Sequence, residues 1–398
     1  VSRGRLFGTL CGMVLLVNLA RVVFAPLLGE FILFFEVDRA TVGIVATLVW
    51  LGSAALRVPT GWLLTRVPRH RVVLGTGVVL VVASGVTASA TTIEALMVGA
   101  VSMGLASGAY FVAANPLVSE LFPDRVGRAM GIHGTASQLA AVGVAPFVTL
   151  VLAVGPDLVD RLPFVSAAWQ LVFVCVGLAA AVVTLALFVT ARSTDLPDAG
   201  AADRDLLGAA RTEWRVVLTG IVILGFTGFV WQGLFNFYEL YMVSKGLPAT
   251  TARNMLTVVF GAGVPAFFLS GRLADKLPRI PYILGVLVSF VVSVFVLTMT
   301  SSLVGLIVVT AVVGYVIHSL FPALDAYLLD TLPDESRGSA YSVYSFGMMI
   351  FQASGSGAVG TLTDVGYAFD EVFFWFSVGL AVVVAGLIAL QHAGRIPN

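Results

Sequence analysis

The chain has 398 residues, 59% hydrophobic and only 11% charged, with 22 basic and 22 acidic side chains that cancel to a net charge of zero. A charged fraction less than half the roughly 25% of soluble domains excludes a water-soluble globular protein, and the charge balance offers nucleic acid nothing to recognise. The two cysteines, Cys11 and Cys175, both lie in apolar runs, so neither a disulfide nor a metal site is expected.

Apolar runs of about 20 residues, long enough to cross a bilayer as a helix, recur along the whole chain. Twelve spans are predicted, near 7–28, 41–63, 72–91, 94–117, 129–153 and 166–190, then near 216–243, 253–271, 281–300, 303–328, 338–361 and 370–392. The expected fold is therefore an all-α membrane protein with an N-terminal six-helix bundle (1–190), a polar linker (191–215) and a C-terminal six-helix bundle (216–398). Arg3 and Arg5 precede the first run as in a signal peptide, but no small-residue cleavage site follows, so that run is expected to be retained as a span. Arg66, Arg69, Arg71, Arg125, Arg128, Arg272, Lys276, Arg279 and Arg337 all fall on alternate loops, together with both termini and the linker. Those loops are expected to be cytoplasmic. Basic residues are nearly all arginine, which suits a GC-rich prokaryotic genome and hence an inner-membrane, multi-pass protein, expected as a monomer.

A shift of 210 residues brings the chain's punctuation into register with itself. Gly61, Arg66 and Pro68 fall on Gly271, Lys276 and Pro278, while Glu120, Pro123 and Asp124 fall on Asp330, Pro333 and Asp334. Two similar halves built of membrane helices point to a transporter.

Polar residues inside the spans are the candidate functional groups, because a charge at a helix centre costs roughly 2.5 to 3.5 kcal/mol even on the lenient insertion scale. In chain order, Arg21 lies deep in span 1, near Pro26, which frees backbone carbonyls there. Its twin is Trp231, so one half is electropositive where the other is aromatic, a pairing that favours an organic anion; the alternative is an ion pair of Arg21 with an acid such as Glu30. Arg57 stands one turn before Gly61 in span 2, and Asn115 lies in span 4. In span 7, Gln232 and Asn236 are four residues apart, placed either to contact substrate or to bond a neighbouring helix. His318 and Asp325 in span 10 share a face but lie about 10 Å apart along the axis, too far to bond directly. Histidine titrates near neutrality, so either His318 or Asp325 is a candidate carrier of a coupling proton, with Glu30 and Glu239 next. Tyr341 and Tyr344 in span 11 either flank an inner gate or pack. No metal, phosphate-loop or nucleophile motif is present, so an enzyme, a cofactor and direct ATP coupling are not expected.

These residues carry a resemblance. G-R-L-A-D-K at 271–276 and its weaker twin G-W-L-L-T-R at 61–66 resemble the G-x-x-x-D-R/K loop of the major facilitator superfamily, and both follow the second span of their half, as in that family. E-L-F-P-D-R-V-G-R at 120–128 and D-T-L-P-D-E-S-R-G at 330–338 are similar to it as well, so the resemblance covers essentially the whole chain. It implies a secondary transporter in which helices 1, 4, 7 and 10 line a central cavity. It also implies that Gly61, Arg66, Gly271, Asp275 and Lys276 form the gate motif. Asp275, a carboxylate able to cap a helix start, is then a stronger latch than its twin Thr65, a neutral acceptor.

R-x-P at Arg57 further resembles helix 2 of nitrate and nitrite porters, whose arginine grips a planar oxyanion bidentately. The twin here is Phe267 where those porters have a second arginine, and their glycine-and-asparagine run is missing from 131–146, so nitrate itself is not expected. Arg57 either contacts the substrate or pairs with an acid such as Asp325 to latch the gate. The G-P-x-x-G-G pattern of drug/proton antiporters is also missing, since 143–146 reads G-V-A-P. The expectation is transport of a small organic anion coupled to protons. Export of a drug-like compound and a non-transporting receptor of the same fold are the alternatives.

Overall fold

The computed structural model describes residues 2–162, 165–194, 196, 206–274, 276–333 and 336–397. Among them, every regular element is helical. The chain divides into two compact units, Val1–Val37 with Val45–Arg204, and Asp38–Ile44 with Asp205–Asn398.

The first unit contains α1 (Ser2–Val22), α2 (Leu28–Phe35), most of α3 (Arg39–Ala55), α4 (Arg57–Leu63), α5 (Arg69–Ala88), α6 (Ile93–Leu121), α7 (Val126–Val159) and α8 (Ala168–Arg192). Predicted spans 1 and 2 are each broken. Pro26 sits in a 3-10 turn, Ala25–Leu27, that separates α1 from α2. Pro59 has no N–H to return to Ala55, and α3 gives way to α4 at Leu56. Within this unit α1 packs on α7 and α8, and α5 on α6 and α8. At the start of α3, the Asp38 carboxylate accepts from the Thr41 N–H at 2.7 Å, and this bonding to Thr41 holds its pKa below the usual aspartate value.

The second unit contains α9 (Leu206–Thr212), α10 (Trp214–Asn236), α11 (Tyr238–Ser244), α12 (Ala249–Ala274), α13 (Arg279–Met299), α14 (Leu303–Thr331), α15 (Arg337–Asp364) and α16 (Phe369–His392). Here α10 packs on α15, α12 on α14, and α13 on α14 and α16. α9, L-L-G-A-A-R-T, falls inside the stretch read from sequence as a polar linker; its leucines and alanines are good helix formers. Among the described residues, eleven helical segments are long and apolar enough to cross a membrane. α15 makes the twelfth by length, at 28 residues, but its serines, glycines and threonines dilute its hydropathy.

The duplication is visible bond by bond. Thr92 caps α6 by accepting from Ala95 N–H at 3.3 Å, and its twin Ser302 caps α14 by accepting from Gly305 N–H at 3.2 Å. Each such cap is worth about 1 kcal/mol. Arg69 pairs with Glu120 at 2.5 Å, and the twin Arg279 pairs with Asp330. Both pairs tie the start of one helix to the end of the next, and being partly exposed they contribute only about 0.2 to 1 kcal/mol each. Gly104 approaches the Val49 carbonyl so closely that any Cβ would collide with it, and Gly314 stands in the same relation to Val259. Small residues of this kind let membrane helices pack backbone to backbone.

Candidate functional site

Arg21 lies in the last turn of α1, where the helix dipole favours a cation. One guanidinium nitrogen donates to Asn18 Oδ1 at 2.5 Å, and Asn18 in turn donates to the Ser137 carbonyl at 2.7 Å. The guanidinium carbon lies 4.9 Å from the Trp50 ring centre and 4.7 Å from that of Phe111. Its Nε is buried with no hydrogen-bond partner. Among the described residues no carboxylate pairs with Arg21, so the ion pair with Glu30 is not formed. Arg57, the first residue of α4, is close enough for its charge to oppose that of Arg21. Asn115 follows Phe111 by four residues on α6 and so lies on the same face, half-buried. Two ring faces and one amide are modest compensation for a guanidinium out of water, and an anion would supply the missing charge.

In the second unit the twin positions are aromatic. Trp231, Phe260, Phe267 and Phe321, the twins of Arg21, Trp50, Arg57 and Phe111, surround His318 with ring-centre distances of 5.5, 5.7, 5.8 and 6.1 Å. His318 Nδ1 lies 2.6 Å from the Gly314 carbonyl, which can only accept, so Nδ1 carries a proton. Nε2 has no partner among the described residues and is the nitrogen able to exchange a proton. Gly263 makes room for the ring, since a Cβ there would lie 2.6 Å from it. Asp325 accepts from Tyr341 O–H at 2.8 Å, and the Tyr341 and Tyr344 rings stand 5.4 Å apart. His318 and Asp325 make no direct bond, as their spacing predicts.

Gln232 and Asn236 are bonded to each other and to α15. Asn236 donates to the Gln232 carbonyl and side chain at 2.9 and 3.2 Å and to Ser356 Oγ at 2.9 Å, and Ser356 donates to the Gln232 carbonyl at 3.0 Å. This fastens α10 to α15. Glu239 is held by two bonds from Arg253, at 3.1 and 2.8 Å, both side chains buried, so it has little freedom to act as a proton carrier.

The loops after Gly61 and Gly271 repeat as well. Arg66 N–H bonds the Leu63 carbonyl and Lys276 N–H the Leu273 carbonyl, both at 3.0 Å, and Arg66 stacks 4.1 Å over the Trp62 ring. Gly61 lies in α4 and Gly271 in α12; Asp275 lies outside the described residues. Sequence reasoning missed Asn18, Trp50 and Phe111 around Arg21, although the shift of 210 aligns both rings with aromatic residues. It also missed a buried pair on α6 and α7: Tyr110 O–H donates to the Leu10 carbonyl at 2.8 Å, which leaves His133 Nε2–H to donate to the Tyr110 oxygen at 3.0 Å.

The sequence model of the Major Facilitator Superfamily matches residues 10–253 and 246–392. A glucose transporter of Staphylococcus epidermidis is 30% identical over 172 residues, 41% of this chain, and a riboflavin transporter of Saccharomyces cerevisiae is 23% identical over 154 residues, 38% of this chain. The matches span only 36% and 30% of the length of those two relatives. An uncharacterised transporter of Bacillus subtilis is 21% identical over 92% of this chain and 86% of its own. Among solved structures, a bacterial homolog of the human lysosomal transporter Spinster superposes with a TM-score of 0.80 at 18% identity, over 97% of this chain and 96% of its own. A D-xylose–proton symporter gives 0.75 at 14% identity over the same shares, and both likenesses speak to the fold.

Proposed function

The chain belongs to the Major Facilitator Superfamily, and from that premise we propose that it is an inner-membrane secondary transporter moving a small organic anion by alternating access, coupled to protons. Membership places it among transporters, not enzymes. The observation that carries the substrate class is Arg21, a guanidinium without a carboxylate partner among the described residues, backed by the charge of Arg57 and flanked by two rings. A guanidinium fork matches a carboxylate bidentately, and ring faces beside it suit a substrate with a planar or apolar body. Asn115 is a further polar contact on the Phe111 face. The proton falls to His318, through its open Nε2, or to Asp325, which accepts from Tyr341 O–H.

The aromatic set around His318 favours a second reading, export of an amphipathic drug-like compound, since such rings bind flat apolar bodies as readily as anions. Binding separates the two. In a thermal-shift screen of the purified protein, carboxylates are expected to raise Tm, with an effect that grows with concentration and is lost in Arg21→Gln. Glucose and riboflavin, for which two relatives are named, serve as controls. Stabilisation by these solutes or by cationic amphiphiles, with none from any anion, would contradict the organic-anion reading.

A further inference from the structure

The first unit carries an apolar groove of about 470 Å³, within the usual size of small-ligand pockets, between α4, α5 and α6. Its walls are small or aliphatic, with Gly75, Val79, Ala106 and Ala109 among them and the Trp62 ring at one side. Thr76 turns its hydroxyl back to the Val73 carbonyl at 2.6 Å and leaves no polar demand there. All three helices belong to segments long and apolar enough to cross a membrane, and Trp62 and Val79 are exposed. The groove therefore opens to hydrocarbon.

One end of this apolar groove is basic. Arg71 lines it and is exposed, and Arg66 stacks on the lining Trp62 ring at 4.1 Å. Neither arginine has a carboxylate partner among the described residues, whereas the neighbouring Arg69 is taken by Glu120. The duplication supplies an internal comparison. In the second unit the twins of Arg71, Ala106 and Ala109 are Pro281, Val316 and Ser319, so the wall is bulkier and the cations stand elsewhere, at Lys276 and Arg272, the twins of Arg66 and Trp62.

We propose that the groove between α4, α5 and α6 holds one acyl chain of an anionic phospholipid, with Arg71, supported by Arg66, binding the headgroup phosphate. Basic pockets between membrane helices recognise anionic headgroups through this charge complementarity, and the slot adds chain contact that a headgroup alone lacks. Trp62 reports occupancy directly. The full-length protein is reconstituted in vesicles containing a minority of bromine-labelled phosphatidylglycerol or phosphatidylcholine, and the Trp62 emission is isolated by difference from Trp62→Phe. Quenching by the labelled phosphatidylglycerol is expected at about fivefold lower mole fraction than by phosphatidylcholine, the preference one basic residue confers. Arg71→Gln should abolish the preference. Gly75→Phe, whose side chain enters space that is open beside Gly75, should reduce quenching by both lipids, and Gly75→Leu serves if that variant does not fold. Equal quenching by the two lipids in the parent protein, or a preference that survives Arg71→Gln, would overturn the proposal. So would a groove-filling variant with unchanged quenching. A transported amphiphile as occupant would show headgroup-independent quenching and counts with those contrary results. No transport is read in this experiment, so its outcome is independent of the substrate class.

Discussion

Replacing Arg21 by lysine is expected to weaken anion uptake about tenfold, and replacing it by glutamine about 10- to 100-fold, with little loss of folded protein. A hydrogen bond to a charged group is worth roughly 1.5 to 3 kcal/mol, which corresponds to that range. Lysine keeps the charge but loses the two-pronged donor, and it stacks less well between Trp50 and Phe111. Arg57→Lys should act in the same direction. The measurement is the concentration dependence of uptake in parent and variant vesicles, with thermal stability as the control for folding. Unchanged apparent affinity in both lysine variants would remove the anion from the arginines.

The second large effect concerns coupling. His318→Gln is expected to abolish accumulation driven by a pH gradient while leaving solute exchange partly intact, because exchange need not release the proton. Glutamine can keep the bond to the Gly314 carbonyl but cannot carry a proton at the position of Nε2. Asp325→Asn is the parallel test for the carboxylate, since asparagine can still accept from Tyr341 yet does not titrate. If both variants still accumulate solute against its gradient, the coupling proton travels elsewhere. The buried Tyr110–His133 pair would then be the next candidate, ahead of Glu239, which Arg253 holds.

Much of the fold was legible because membrane helices announce themselves by length and hydropathy, and because the duplicated punctuation at Gly61, Pro68 and Glu120 has a second copy to check against. Helix breaks were only half legible. Pro26 announced one, whereas the step from α10 to α11 at Phe237 has no proline to mark it. The candidate site was less readable still. Arg21 and His318 stand out in sequence because charge and titratable groups are costly in a membrane, but their surroundings come from other helices. Trp50 and Phe111 reach Arg21 from α3 and α6, and Trp231, Phe260 and Phe267 reach His318 from α10 and α12. Hydropathy does not tell which face of an apolar helix turns inward. The same limit applies to Gln232 and Asn236, whose spacing does not reveal that Ser356 on α15 lies beside them.

The most direct test of proton-coupled anion transport is uptake into sealed proteoliposomes of the carboxylate that stabilises the purified protein best. With an inward proton gradient imposed, the internal concentration should rise above the external one, collapse when a protonophore dissipates the gradient, and fail to rise in Arg21→Gln. Equal uptake with and without the gradient would contradict coupling, and no flux of any stabilising anion in either direction would contradict transport of an organic anion altogether.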